Sequence, residues 1–223
     1  MEQIIQKNIL EAKVRIRKSL QPDLLIIFFT RIIEDLKNNP DTEFYGRITE
    51  LNLLINPYNT KEKKEEIFKE FLSEKIDKKF GIKLDEQEIG FINIFRENLT
   101  KECKLKNPKV MKGRLNGILK ILTKKYLPES SQLIEPFILG KLISFFGGIK
   151  NLYYRPSSTI QLIGAEIALF RHKSTESLSP KYGIIYHSKF IQQEKNKGKA
   201  ARQLANNLSK SIKIDYFRKF YEN

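Results

Sequence analysis

Along most of the chain apolar residues recur at intervals of three and four, the period of a helix with one buried face. Residues 1–60 read as helical pieces broken at Pro22, Pro40 and Pro57. The stretch 24–36 is the most apolar, and Asp23 before it has the character of an N-cap. Acids and lysines alternate over 61–70, as on an exposed helix start, and Phe68, Leu72, Ile76 and Phe80 then recur every fourth residue up to Gly81. Asp85 and Glu88 have the spacing of a capping box. Behind them Ile92, Phe95, Leu99 and Cys103 form one stripe. Asn107-Pro108 stops that helix and caps the next, whose stripe is Met111, Leu115, Ile118, Leu122 and Tyr126. Two helices of about 20 residues joined by a short turn predict an antiparallel hairpin. Both stripes are one-sided, so each must be covered by the other or by a partner. This makes Ile92, Phe95, Leu99, Leu115 and Leu122 a candidate dimer interface. Cys103 on the same stripe reads as core.

Pro128 ends the hairpin. A mostly apolar helix is expected over 131–146, closed by Gly147-Gly148, and another from Ser157 or Ser158 to about Arg171. Residues 172–181 are polar and read as a loop, 182–190 have extended character, and a final helix runs from about Lys197 to Lys219. The extended stretch is too short to anchor a sheet, and the chain has no internal repeat and no low-complexity tract.

Composition narrows the function classes. The 223 residues carry 41 basic and 26 acidic side chains, a formal charge of +15, with 40% hydrophobic content. A chain of this length can bury a core without staples, and its ordinary hydrophobic content argues against general disorder despite the charge. One cysteine excludes an internal disulfide framework, and two histidines, His172 and His187, leave little for a zinc site. No apolar run reaches the ~18 residues of a membrane span, and no signal peptide is recognisable, so an intracellular protein without a membrane is expected. The excess charge is uneven. Residues 1–149 hold 27 basic and 21 acidic groups, a mixture usual for solvated helix faces, whereas 150–223 hold 14 and 5. Nucleic acid or another polyanion is the default partner of such a one-signed field.

The placement of those charges supports this. Lys195, Lys199, Arg202, Asn206, Lys210 and Lys213 share one face of the final helix, and Ala201, Leu204, Ala205, Leu208 and Ile212 the opposite one. A ridge of cations and an amide almost free of acids suits phosphate contacts. Just upstream, Tyr182, Tyr186, His187 and Phe190 interleave with Lys181 and Lys189. Such groups can stack unpaired bases, although a buried tyrosine pair with a satisfied histidine has the same sequence. Catalytic patterns are missing: there is no glycine-rich phosphate loop and no Gly-x-Ser-x-Gly, and no histidine and acid accompany Ser157-Ser158. No enzyme, cofactor or metal is expected.

Four blocks in fixed order carry a resemblance: 136–148, RPSSTIQLIGAEIALFR (155–171), PKYGIIYHS (180–188) and KNKGKAARQLANNLSKSIKIDYF (195–217). Together they resemble the Nop domain, the RNA- and protein-binding module of the nucleolar Nop family and its archaeal and spliceosomal relatives. FGIKLDEQEIGFI (80–92) and the hairpin after it resemble that family's coiled coil. The implied organisation is a remnant N-terminal helical region over 1–60, a coiled-coil hairpin over 61–127 and a Nop domain over 128–223. The resemblance implies an all-α fold, a helical hairpin followed by a compact helical domain, and a scaffold of box C/D particles that does no chemistry. It would recognise a kink-turn guide RNA together with a small protein of the ribosomal L7Ae type, and support guided 2′-O-methylation of rRNA. A second Nop-type subunit would pair through the coiled coil. Contact with a fibrillarin-type methyltransferase is left open, because the N-terminal domain that grips it is much reduced. A nucleolar site follows for a eukaryote, the favoured lineage, and a cytoplasmic one for an archaeon.

Family positions map onto single residues. The implied RNA contacts are Arg171, Lys173, His187, Lys195, Lys199 and Arg202, with His187 meeting bases near the kink-turn. Gly164, Ala165 and Glu166 are implied partner-protein contacts. The small pair reads equally as helix packing, and Glu166 equally as an internal partner of Arg171. The family's Gly-Ala-Glu-Lys reads Gly164-Ala165-Glu166-Ile167 here, so a contact lysine is missing, and Arg171 or Lys173 is the candidate to supply its charge. His172 has no family counterpart and reads as a loop histidine. The alternatives are a spliceosomal Nop-domain factor on snRNA and a helix-turn-helix DNA-binding regulator using the basic last helix.

Overall fold

In the computed structural model the described residues are 2–19, 23–38, 45–55, 66, 69, 71, 72, 84–100, 105–175 and 177–221. Their regular backbone is helical, apart from one isolated antiparallel bridge between Leu99 and Leu105. The all-α expectation therefore holds. No helix among these residues is long and apolar enough to cross a membrane. The chain forms two compact units, Met1–Leu115 and Asn116–Asn223.

In the first unit, α1 (Glu2–Ser19) leaves Ile4, Ile5, Ile9, Leu10 and Val14 exposed. Helix α2 (Leu24–Asn38) starts where the Asp23 carbonyl accepts the Ile26 and Ile27 N–H groups. Its apolar run buries Leu25, Ile26, Phe28, Phe29, Ile32 and Ile33. Helix α3 (Tyr45–Ile55) is clamped to it by charge. Arg47 Nε donates to Asp35 at 2.7 Å, and its Nη1 to Glu50 at 3.1 Å. Burial works against the Arg47 charge, but the two carboxylates outweigh it and the guanidinium's pKa is raised. Of the helix expected from Phe68, Leu72, Ile76 and Phe80, Leu72 is helical and half-buried, while Phe68, Ile76 and Phe80 lie outside the described residues, as does Cys103. Phe71 is described and buried, with the Arg96 guanidinium 5.0 Å above its ring.

Helix α4 (Glu86–Glu97) begins at the expected capping box: Asp85 Oδ1 accepts Glu88 N–H at 2.8 Å, and Glu88 Oε2 accepts Asp85 N–H at 3.0 Å. It is 12 residues long rather than about 20. Asn98 turns its amide back onto the Ile94 carbonyl, and Lys106 Nζ takes the Glu97 carbonyl at 2.9 Å. With those carbonyls satisfied the chain reverses early, and Leu99 sits in the bridge instead of on the helix. Helix α5 (Pro108–Tyr126) follows its expected Asn107 cap, with Val110 N–H on Asn107 Oδ1 at 3.3 Å.

The proposed dimer stripe needs correction. Ile92, Phe95, Leu115 and Leu122 are 0% exposed and Leu99 5%, all within one chain. The hairpin stripes find cover that sequence spacing does not show: the Phe28 ring of α2 meets Phe95 edge-on at 5.3 Å. These side chains are core and offer no surface to a second subunit.

The second unit is assembled around its last helix. Its elements are α6 (Ser130–Leu133), α7 (Pro136–Phe146), α8 (Ile149–Tyr153), α9 (Ser157–Leu162), α10 (Glu166–Ser174), a 3-10 turn (Ile184–His187), α11 (Lys189–Gln193) and α12 (Lys197–Tyr221). Helix α12 packs against α6, α8, α9, α11 and the 3-10 turn. Three sequence expectations change. The helix of 131–146 is split at Ile134-Glu135, because Pro136 forces extended backbone before it and opens a new helix. The helix of 157–171 is split at Gly164. The stretch 182–190 is a 3-10 turn and a short helix rather than extended. Gly147, in the left-handed region at φ 72°, ends α7 as expected, with Gly148 N–H returning to the Ile143 carbonyl.

Candidate nucleic-acid interface

The ridge on α12 is real as a surface. Lys199, Arg202, Asn206, Lys210 and Lys213 are exposed, while Ala201, Leu204, Ala205, Leu208 and Ile212 are buried. Lys195 is exposed too, but lies in the bend before the helix instead of on it. The helix start is set by Asn196, whose Oδ1 accepts Lys199 N–H at 3.1 Å. Asp215 does not dilute the ridge. It is 2% exposed and turns inward, where its carboxylate accepts Glu129 N–H, Ser130 N–H and Ser130 Oγ–H at 3.0, 2.9 and 2.7 Å. An inward carboxylate at the N-terminus of α6 leaves the outer face one-signed.

The 180–188 segment docks beside this helix. Gly183 N–H donates to the Gln161 carbonyl and Ile184 N–H to the Ile163 carbonyl, at 2.9 and 2.7 Å. Gln161 Nε2 holds the Lys181 carbonyl at 2.7 Å. A Cβ at Gly183 would stand 1.9 Å from the Ile163 carbonyl oxygen, so the approach requires glycine. The docked segment presents its aromatics outward. Tyr182 and Tyr186 stack at 4.4 Å and 17°, and the exposed His187 ring meets Tyr186 edge-on at 5.8 Å. Lys197 Nζ lies 5.2 Å above the Tyr186 ring and donates to its hydroxyl at 3.3 Å. Hydrogen bonds from Lys197 and Gln192, with the Lys197 charge, lower the Tyr186 pKa. His187 is thus no buried core histidine. Lys197 lies off the ridge that the helical wheel predicts, and a wheel gives no sign that residues 186 and 197 meet across the breaks between the 3-10 turn, α11 and α12.

Gly164 forms the third part. Its φ is 84°, and a Cβ there would lie 2.6 Å from Ile184 Cγ1. The close approach at Gly164 is made by the chain's own 3-10 turn. Ala165 N–H bonds the Leu162 carbonyl, and Glu166 Oε1 accepts Gly164 N–H at 2.7 Å, fixing the corner. Beyond it α10 has no buried residue, with Ile167 77% and Phe170 66% exposed. Arg171 and Lys173 stand exposed on this helix. His172 belongs to the helix, not to a loop, and its Nδ1 bonds the Ser177 carbonyl; Thr175 Oγ1 donates to the Arg171 carbonyl at 2.7 Å. Contacts therefore join the Gly164 corner, the His187 turn and the start of α12 into one surface, and Arg171 and Lys173 extend it along α10. Its chemistry is cationic and aromatic.

Comparison with known proteins gives a family match and several relatives. The Nop family model, described as "snoRNA binding domain, fibrillarin", matches residues 29–223. Nucleolar protein 58 of Neurospora crassa is 37% identical over 116 residues, 51% of this chain and 19% of that protein. Nucleolar protein 56 of Schizosaccharomyces pombe is 48% identical over 92 residues, 40% of this chain and 18% of that protein. The matched stretch is thus about a fifth of these relatives' length. A crystal structure of a fibrillarin/Nop5p complex aligns with a TM-score of 0.46 at 21% identity, covering 97% of this chain and 71% of that chain.

Proposed function

The chain belongs to the Nop family, and from that membership we propose that it is an RNA-binding scaffold of a box C/D particle, which recognises a kink-turn guide RNA jointly with an L7Ae-type protein. The observation that carries the reading is the family match over 29–223. The geometry supports it with a one-signed ridge on α12 beside a half-buried tyrosine pair and an exposed histidine, the materials of phosphate contact and base stacking. In this reading Lys195, Lys199 and Arg202 hold RNA backbone, and His187 meets an unpaired base. The Gly164–Glu166 corner and α10 face the small protein. Ile167 stands where the family's lysine is missing, and Arg171 and Lys173 supply positive charge nearby. The chain does no chemistry: a fibrillarin-type methyltransferase of the particle would supply it, and the scaffold would position the RNA. Another Nop-type subunit would pair through exposed positions of the hairpin, since its apolar stripes are used internally. The names of the relatives support a nucleolar location.

The test is binding of a labelled kink-turn RNA with and without the L7Ae-type protein. The reading requires weak binding alone and tight binding once the partner is added. Tight, partner-independent binding at physiological salt would overturn joint recognition. Preference for duplex DNA would replace the whole reading with that of a DNA-binding regulator.

A further inference from the structure

The exposed face of α12 does not end at the ridge. Counting on from Lys199, Arg202, Asn206, Lys210 and Lys213, the next position at helical spacing is Phe217, 52% exposed, beside Ile214 at 49%. Here the surface opens into a cleft of about 390 Å³ lined by Tyr153, Lys213, Ile214, Phe217 and Arg218. At 1.5 Å per residue it lies about 27 Å along the helix from Lys199, so one phosphate cannot serve both ends.

We infer that this cleft is a second RNA contact, which takes an unpaired nucleobase of a single-stranded segment while Lys213 and Arg218 hold the flanking phosphates. The inference rests on the RNA-binding reading above. The walls of the cleft are aromatic and aliphatic, and its charges are Lys213 and Arg218, the latter also paired with Glu129 at the rim. A base needs a π-face, and its backbone needs positive charge within a few ångströms. The aromatic wall is preorganised: Tyr153 stacks on the buried Tyr216 at 4.4 Å and 30°, and Tyr154, 63% exposed, meets it edge-on at 4.8 Å. Arg218 is held in place by Glu129 Oε1 at 3.2 Å. The ridge, the cleft and their common helix form one track, with phosphate contacts along it and a stacking site at its far end.

The experiment uses the full chain and a fluorescent, single-stranded oligouridylate of about ten nucleotides, followed by anisotropy. Wild type should bind, and Phe217→Ala should weaken binding by about 5- to 100-fold, the loss of one stacked base. Lys213→Gln should lower the salt slope by about one unit. Phe217→Leu keeps the apolar bulk and removes the π-face. It should bind as poorly as Phe217→Ala, and circular dichroism should report both as folded. Failure of wild type to bind the oligomer, or wild-type affinity in Phe217→Leu, would overturn the proposal. The second result would make the cleft an apolar contact for protein instead. Joint binding of kink-turn RNA, measured separately, decides the scaffold reading whichever way the oligomer result falls.

Discussion

Gly183 shows how one missing side chain sets the surface. Any Cβ there would strike the Ile163 carbonyl oxygen, an atom that cannot rotate away. Gly183→Ala should therefore cost about 1–3 kcal/mol in urea unfolding and weaken RNA binding, because the 180–188 segment must lift to admit it. Lys197 acts through charge. It favours the Tyr186 phenolate, so in the folded chain this tyrosine should ionise below its ordinary value. A depressed acid adds stability as pH rises through the folded pKa and adds none at lower pH, where both states are neutral. Lys197→Met should return the ionisation upward, as read by NMR of ring-labelled tyrosine. His187 and the ridge should respond differently. His187 is exposed, so His187→Ala should leave the fold intact, cost ~1–3 kcal/mol of RNA affinity and leave the salt slope unchanged. Lys199→Ala with Arg202→Ala should lower the slope by roughly one to two units, about equally for different stem sequences. Titration of binding against salt separates the two roles.

Among the elements, what sequence shows well is local chemistry. The Asp85–Glu88 capping box, the Asn107-Pro108 start and the two faces of α12 follow from neighbours within a few residues, and all three stand as expected. The breaks were harder to see. Splitting at Gly164 depends on a left-handed backbone pressed against Ile184, and the 3-10 turn depends on bonds to Gln161 and Ile163 some 20 residues earlier. The same limit misled the reading of the hairpin. A one-sided stripe says that cover is needed but not who provides it, and here α2 contributes Phe28. Leu115→Ala should accordingly cost about 2–5 kcal/mol in unfolding, as a cavity in the core does. Analytical ultracentrifugation of the folded fraction should show an unchanged association state. Conversion of a stable dimer to a folded monomer would restore Leu115 to an interface.

For the whole molecule, the family was more legible than the architecture. The order of four short blocks carries the resemblance, and the family model matches residues 29–223 although several of the helices between them differ from expectation. Assembly of the second unit depends on bonds that span the sequence. Asp215 fastens the start of α6 across 85 residues, and α12 covers α6, α8, α9 and α11 at once. On the ribosome this has a cost in time. Residues 128–193 emerge with their apolar sides bare and must wait until α12 has left the exit tunnel, several seconds at about 5–20 residues per second. During that interval the nascent second unit is a client for chaperones, whereas the first unit is already complete in length. A stop codon at position 197 should thus yield an aggregating product rather than a smaller folded one.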